Sequence, residues 1–157
     1  MVVEREWIQV SPEMAALVGG GALPQRPWPA EPVALSYTLG SVGTPATVHW
    51  YAAPSPDALH DGQLLLIVAA SAIERLFGVL PEGRESCFHI TQQLREIALA
   101  IRDCDLPQAA REPYRLGKSI ELLCDTLRLI GNGALFRCLV KAICRRRTAV
   151  ESSMRVR

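Results

Sequence analysis

The sequence predicts an α+β protein in which strands come first and helices second. Residues 33–39 and 47–51 alternate apolar and polar side chains with the period of two that is typical of half-buried strands, and the turn between them predicts a hairpin. Residues 63–70, QLLLIVAA, form a continuous apolar run whose length fits a buried strand. From Thr91 onward the apolar residues recur with the period of a helix. This order is typical of an α+β domain with segregated layers, here a small, partly barrel-like β layer followed by helices.

The first thirty residues predict a short strand and a long connector. Residues 7–10 contain Trp, Ile and Val and indicate a strand, whereas residues 11–17 predict a turn or the start of a short helix. Residues 24–32 contain four prolines and predict an extended connector. Trp28 lies within this connector, and we expect its ring to anchor the connector on the core.

Two short elements follow the buried strand. Ser71 can cap a short helix over residues 72–77, which Gly78 would end because glycine tolerates the left-handed conformation found at helix ends. Residues 87–90 predict one more short strand. Thr91 then provides an N-cap for a helix over residues 92–104.

The central element of the second half is a helix predicted over residues 113–130. Pro113 suits a first helical turn, and the Gly-Asn-Gly sequence at 131–133 predicts its end. The short link before this helix favours an antiparallel hairpin with the preceding one. One apolar side chain falls on the same face at every turn, and this seam serves either the protein's own core or dimerisation. The seam comprises Leu116, Ile120, Leu123, Leu127 and Ile130.

A short third helix is predicted after Gly133, and it is basic on one side. We therefore divide the chain into a β-rich, sensor-like part over residues 1–90, a helical dimerisation part over 91–147, and a flexible basic tail over 148–157. An alternative function follows from the basic side, since arginine and lysine clusters can contact phosphates. In that alternative the chain is a small helical interaction protein that binds nucleic acid without sequence specificity. The residues concerned are Arg137, Lys141, Arg145, Arg146 and Arg147.

The amino-acid composition limits the classes of protein to which this chain can belong. The chain has 157 residues with 49% hydrophobic and 21% charged residues, enough apolar material for one buried core. The net charge of +1 does not require a nucleic-acid or membrane partner for the whole molecule. The five cysteines are odd in number and show no Cys-x-x-Cys spacing, which predicts free thiols and no zinc site. Together with the absence of a secretory-type N-terminal pattern, this predicts a cytoplasmic protein without membrane contact.

The sequence offers no catalytic constellation. The histidines, His49, His60 and His89, stand in no metal-binding spacing, and no phosphate-binding or nucleophile-elbow motif occurs. Cys87 and His89 are two residues apart on a predicted strand, but a nucleophile pair also needs a third group to orient the base. We therefore expect no catalytic residues, no cofactor, no metal and no enzymatic activity.

The helical half resembles a known family. Residues 88–130, FHITQQLREIALAIRDCDLPQAAREPYRLGKSIELLCDTLRLI, resemble the segment that joins the sensor and DNA-binding halves of AraC-type bacterial transcription regulators, in the branch related to siderophore-responsive activators. The likeness spans mainly residues 63–134, about half the chain. A Y-R-x-G-K-x-x-E-L-L type pattern carries it, matched by Tyr114, Arg115, Gly117, Lys118, Glu121, Leu122 and Leu123.

The resemblance implies a non-catalytic regulatory module. Family members continue into a domain with two helix-turn-helix units, and the sequence after Gly133 has neither their length nor their pattern. The resemblance therefore implies a ligand-sensing and dimerisation region that pairs with itself or with a related regulator and responds to a small-molecule effector. It implies no specific DNA binding by this chain alone.

Overall fold

The structure, a computed structural model, describes residues 4–59 and 61–138. Within this part the chain forms six strands and three helices, which confirms the α+β class. The elements in chain order are β1 (Glu6–Ser11), β2 (Met14–Val18), β3 (Pro32–Thr38), β4 (Thr47–Tyr51), β5 (Leu64–Ala69), α1 (Ala70–Phe77), β6 (Glu85–His89), α2 (Gln92–Arg102) and α3 (Gln108–Gly131). No helix in the described ranges is both long and apolar enough to cross a bilayer.

The strands form one open antiparallel sheet. Their order is β1-β2-β5-β3-β4-β6, so that β1 and β6 lie at the two ends of this order. The predicted hairpin of β3 and β4 is confirmed, with Leu35 opposite Trp50 in its register. Strand β5 pairs with β2 on one side and with β3 on the other, which joins two local hairpins into one sheet.

Strand β2 corrects the expectation of a short helix over residues 11–17. Residues Met14–Val18 pair with β1 and β5 along their whole length, and all five are buried. A strand buried on both faces shows no alternation of apolar and polar residues, so its period cannot distinguish it from a helix. The pairing on both edges decides in favour of the strand.

The sheet is covered differently on its two faces. One face packs against the helices and carries a large core that includes Leu35, Trp50 and Leu66. The other face carries a smaller cluster around Leu65 and Ile67. Loop residues cover this second cluster, and Trp28 from the proline-rich connector packs against it, as predicted.

The helices begin and end partly as predicted. Gly78 ends α1 with a φ of 81°, and the Thr91 hydroxyl accepts a hydrogen bond of 3.2 Å from the Leu94 N–H at the start of α2. Helix α3, however, begins at Gln108 and contains Pro113 within it. The predicted start at Pro113 was wrong, because the helix already includes residues 108–112. Since proline has no N–H, the helical hydrogen bond from residue 113 to the Ala109 carbonyl is missing.

A buried hydrogen bond joins α3 to the sheet. The Tyr37 hydroxyl on β3 and the Thr126 Oγ1 on α3 are 2.7 Å apart, and both side chains are fully buried. Burial raises the pKa of Tyr37 well above its usual range, and the hydrogen bond to Thr126 offsets part of this rise. Each hydroxyl therefore depends on the other for its hydrogen bond in a region that excludes water.

The predicted third helix does not begin where the sequence placed it. Residues 136–138 lie extended beside β6, with the His89 N–H donating to the Phe136 carbonyl and the Cys138 N–H donating to the Cys87 carbonyl, at 2.8 and 2.9 Å. Residues 139–147 of the predicted helix, and the predicted tail over 148–157, lie outside the described residues.

The same pairing places two cysteines together. The Cα atoms of Cys87 and Cys138 are 5.2 Å apart, and their sulfur atoms form a disulfide. The expectation of free thiols was therefore wrong for this pair, whose separation of 51 residues gives no signal in the sequence. Cys104 and Cys124 are free, as expected.

We predict that the Tyr37 and Thr126 hydroxyls contribute to stability as a unit. Tyr37→Phe leaves the Thr126 hydroxyl buried without its partner and should lower the free energy of unfolding by about 1–3 kcal/mol. Thr126→Val should cost a similar amount, and the double variant should cost less than the sum of the two. Urea unfolding of the four proteins measures this coupling. Strictly additive losses would contradict a direct hydrogen bond.

We predict that the Cys87–Cys138 bond stabilises the fold by constraining the unfolded chain. Cys87→Ser should lower the free energy of unfolding by about 2–4 kcal/mol, and adding Cys138→Ser should change it little further. Unfolding without and with dithiothreitol measures the effect, because the reductant should weaken the wild type and leave the variant unchanged. Cys104→Ser is the matched control and should retain sensitivity to the reductant. A wild type that is insensitive to reductant would show that the bond is absent in solution.

Candidate functional site

The predicted seam on α3 divides between the core and the surface. Leu123 and Leu127 are buried in the large core, and Leu116 and Ile130 are partly buried against it. Ile120 is 49% exposed, which is unusual for an isoleucine on a helix that packs along a sheet. The seam thus runs along the border between the buried face of α3 and its outer face.

Polar residues account for this shift of the buried face. Arg115, Ser119 and Thr126 are all buried, at positions that the apolar period alone assigns to the side of the helix. Ser119 donates to the Arg115 carbonyl at 2.7 Å, Thr126 pairs with Tyr37, and the Arg115 Nη1 pairs with Glu6, while the Arg115 Nε has no partner within the described residues. Polar side chains that find partners can occupy a core face, so a count of aliphatic residues misplaces that face by about one position.

A mostly apolar groove lies beside the C-terminal half of α3. The segment 77–81 that follows α1 forms one wall, and residues 124–132 form the other. Its volume is about 590 Å³, within the range of sites that hold small molecules or a partner's side chains. Its apolar lining consists of Phe77, Val79, Leu80, Pro81, Leu127 and Ile130. We call this surface the α3 groove.

Charged and titratable groups line the α3 groove beside its apolar wall. Asp125 and Arg128 both line it and form an ion pair of 3.5 Å. Cys124 also lines it, and burial, followed by the charge of Asp125, raises the pKa of its thiol. This thiol is therefore protonated at neutral pH and contributes an apolar surface more than a nucleophile.

The apolar surface continues from the groove along α3. Ile120 lies one helical turn before Cys124 on the same face, so its exposed side chain extends the groove towards the middle of the helix. Val79, on the opposite wall, is 68% exposed. Ile120 and Val79 therefore leave apolar surface at and beside the α3 groove that no described part of the chain covers.

The predicted basic cluster lies only partly within the described residues. Arg137 is placed over the ring of Phe88, 5.8 Å from its centroid, beside β6. Lys141, Arg145, Arg146 and Arg147 lie outside the described residues. The cluster as a whole therefore stays a prediction.

Two of the candidate catalytic and metal-binding residues are neighbours, since His49 on β4 lies opposite Cys87 on β6. Cys87 is bonded to Cys138, so in this state it is not the thiol partner of His89. His49 lies over Tyr51, with ring centroids 6.1 Å apart, and His60 is outside the described residues. Within the described ranges no three His, Cys, Asp or Glu side chains come together as metal ligands do.

The chain was compared with known proteins by family, by sequence and by structure. No family model, curated protein or solved structure matches it. The arguments for function therefore rest on the α3 groove and its surroundings.

Proposed function

We propose that this chain is a non-catalytic regulatory module that acts by pairing through α3, either with a second copy or with a related regulator. The observation that carries the proposal is the uncovered apolar face made by the α3 groove and Ile120. Uncovered apolar faces of this kind are typical of protein–protein contact sites. The resemblance of residues 63–134 to the sensor and dimerisation region of AraC-type regulators supports the same function.

The charges on α3 favour a second copy as the occupant. Along its outer face the helix carries Lys118, Glu121, Asp125 and Arg128, with the signs plus, minus, minus, plus. In an antiparallel pair of α3 helices with its twofold axis near Cys124, Glu121 of one copy faces Arg128 of the other. A twofold contact makes this attractive pair twice, and the two Asp125 carboxylates that meet near the axis are each paired with Arg128 of their own chain.

The remaining features of the proposal follow from the resemblance. The β-rich part would sense a small-molecule effector, and α2 and α3 would form the antiparallel hairpin that presents the pairing surface beside a partly barrel-like sheet. The chain would bind no specific DNA sequence alone, since base readout needs a rigid element in a groove.

We predict that Ile120→Asp separates the pair without unfolding the protein. The aspartate would be buried without a partner in the paired state, at a cost of roughly 3–5 kcal/mol, whereas in the single chain it faces water. Dimer dissociation constants from analytical ultracentrifugation should therefore rise by about a hundredfold or more.

Val42→Asp is the matched control for this variant. Val42 is fully exposed in the turn between β3 and β4, so the same change from apolar to charged residue should leave the pairing unchanged. Circular dichroism checks that both variants keep their helix content. A wild type that sediments as a single chain at about 100 μM would refute the pairing with a second copy, as would an Ile120→Asp variant that pairs like the wild type.

A further inference from the structure

Residues 136–138 lie along the outer edge of β6, on the side away from β4. The His89 N–H donates to the Phe136 carbonyl at 2.8 Å, and the Cys138 N–H donates to the Cys87 carbonyl at 2.9 Å. The disulfide between Cys87 and Cys138 joins the two segments covalently at the same place. We call residues 136–138 the β6 strap. It covers backbone groups that an edge strand otherwise presents to water.

Apart from the disulfide, the contacts that hold the β6 strap on the sheet are weak. Phe136 is 82% exposed, and Arg137 contacts the ring of Phe88 at the protein surface. Backbone hydrogen bonds at an exposed edge replace hydrogen bonds to water, so their net contribution is small. The extended course of three residues also costs conformational entropy. The covalent bond therefore supplies most of the constraint that keeps the strap in place.

The rest of the fold is anchored independently of this bond. Leu135, directly before the strap, is 7% exposed and belongs to the large core. On its inner side β6 pairs with β4 along its whole length, from Glu85 to His89. Loss of the disulfide therefore frees the β6 strap as far back as Leu135 and leaves the sheet and α3 folded.

The disulfide is also accessible to a reductant. Both Cys87 and Cys138 are partly exposed, and they lie at the edge of the sheet rather than beneath the helices. A thiolate can reach their sulfur atoms without prior unfolding, as thiol–disulfide exchange requires. Exposed disulfides of this kind are the ones that are labile and serve in regulation.

We propose that the Cys87–Cys138 disulfide is a redox-controlled latch for the β6 strap. While the bond is closed, the strap covers the outer edge of β6. When it is reduced, the strap leaves the sheet, and the His89 N–H and the Cys87 carbonyl turn to water. The latch goes beyond the proposed pairing and does not depend on it, because the strap lies on β6 and the pairing surface lies on α3.

A dithiol is the class of reductant that opens the latch. One of its thiolates attacks a cysteine Sγ, which breaks the S–S bond and releases the other cysteine as a thiolate. The second thiol of the reductant then displaces the first cysteine and closes into a disulfide. Two electrons and two protons pass to the protein, which ends with two thiols. A small-molecule disulfide reverses the exchange and closes the latch again.

The test is amide hydrogen exchange of the full chain, followed by NMR in the oxidised state and after reduction with dithiothreitol. The amides of His89 and Cys138 should exchange at least about tenfold faster after reduction, because they lose their acceptors. The Ile90 N–H is an internal control, since it donates to the Ala46 carbonyl at 3.2 Å on the other side of this segment. It should stay protected in both states. Reoxidation with oxidised glutathione should restore the protection of His89.

Cys138→Ser removes the bond without a reductant. Its His89 amide should exchange as in the reduced wild type, whether dithiothreitol is present or not. Cys104→Ser is the matched control and should respond to the reductant as the wild type does, because Cys104 is a free thiol.

Four results would overturn the proposal. Oxidised glutathione could fail to form the bond, or the reduced wild type could keep His89 protected. Ile90 could lose its protection together with His89, which would mean that reduction unfolds the sheet instead of releasing the strap. Finally, the Cys138→Ser variant could protect His89 as the oxidised wild type does.

Discussion

The hydrogen bond between Tyr37 and Thr126 fixes the position of α3 on the sheet, and the α3 groove depends on that position. The bond lies in the core, 2.7 Å long, between the middle strands and the C-terminal half of the helix. A second fixed point, the Glu6–Arg115 ion pair, holds the N-terminal half against β1. Between these two contacts the helix cannot slide or rotate without leaving polar groups buried and unpaired. The wall that α3 contributes to the α3 groove is therefore held in place from both halves of the helix.

Much of the fold follows from the sequence, because most of its elements satisfy one clear pattern. The alternation over 33–39 and 47–51 predicts β3 and β4 correctly, and Thr91 marks the start of α2 through the hydrogen bond that its hydroxyl accepts. The elements that were predicted wrongly share a physical cause. Each is determined by contacts with residues distant in sequence, which a local sequence pattern cannot show. Strand β2 shows no alternation because strands cover both of its edges and core residues cover both of its faces. The extended course of residues 136–138 depends on pairing with β6, a partner distant in sequence.

The candidate sites were less predictable than the fold. The spacing of apolar residues on α3 does predict the helix. It also assigns Ile120 to the buried face, and it misses the polar residues that are buried there instead. The buried position of Arg115 was not predicted, because only the packing of α3 on β1, with the Glu6–Arg115 ion pair, takes this guanidinium out of water.

The position of β5 has a consequence for the way in which the chain folds. The hairpins β1–β2 and β3–β4 are local and can form from residues close in sequence, whereas β5 must pair with β2 across about fifty residues and with β3 across about thirty. The closure of these long loops costs entropy before the pairing compensates for it. Completion of the sheet therefore waits for residues 64–69, and we expect this step to set the folding rate. Until then both hairpins expose unpaired edges, so the ribosome-bound or refolding chain is most prone to aggregate before β5 inserts.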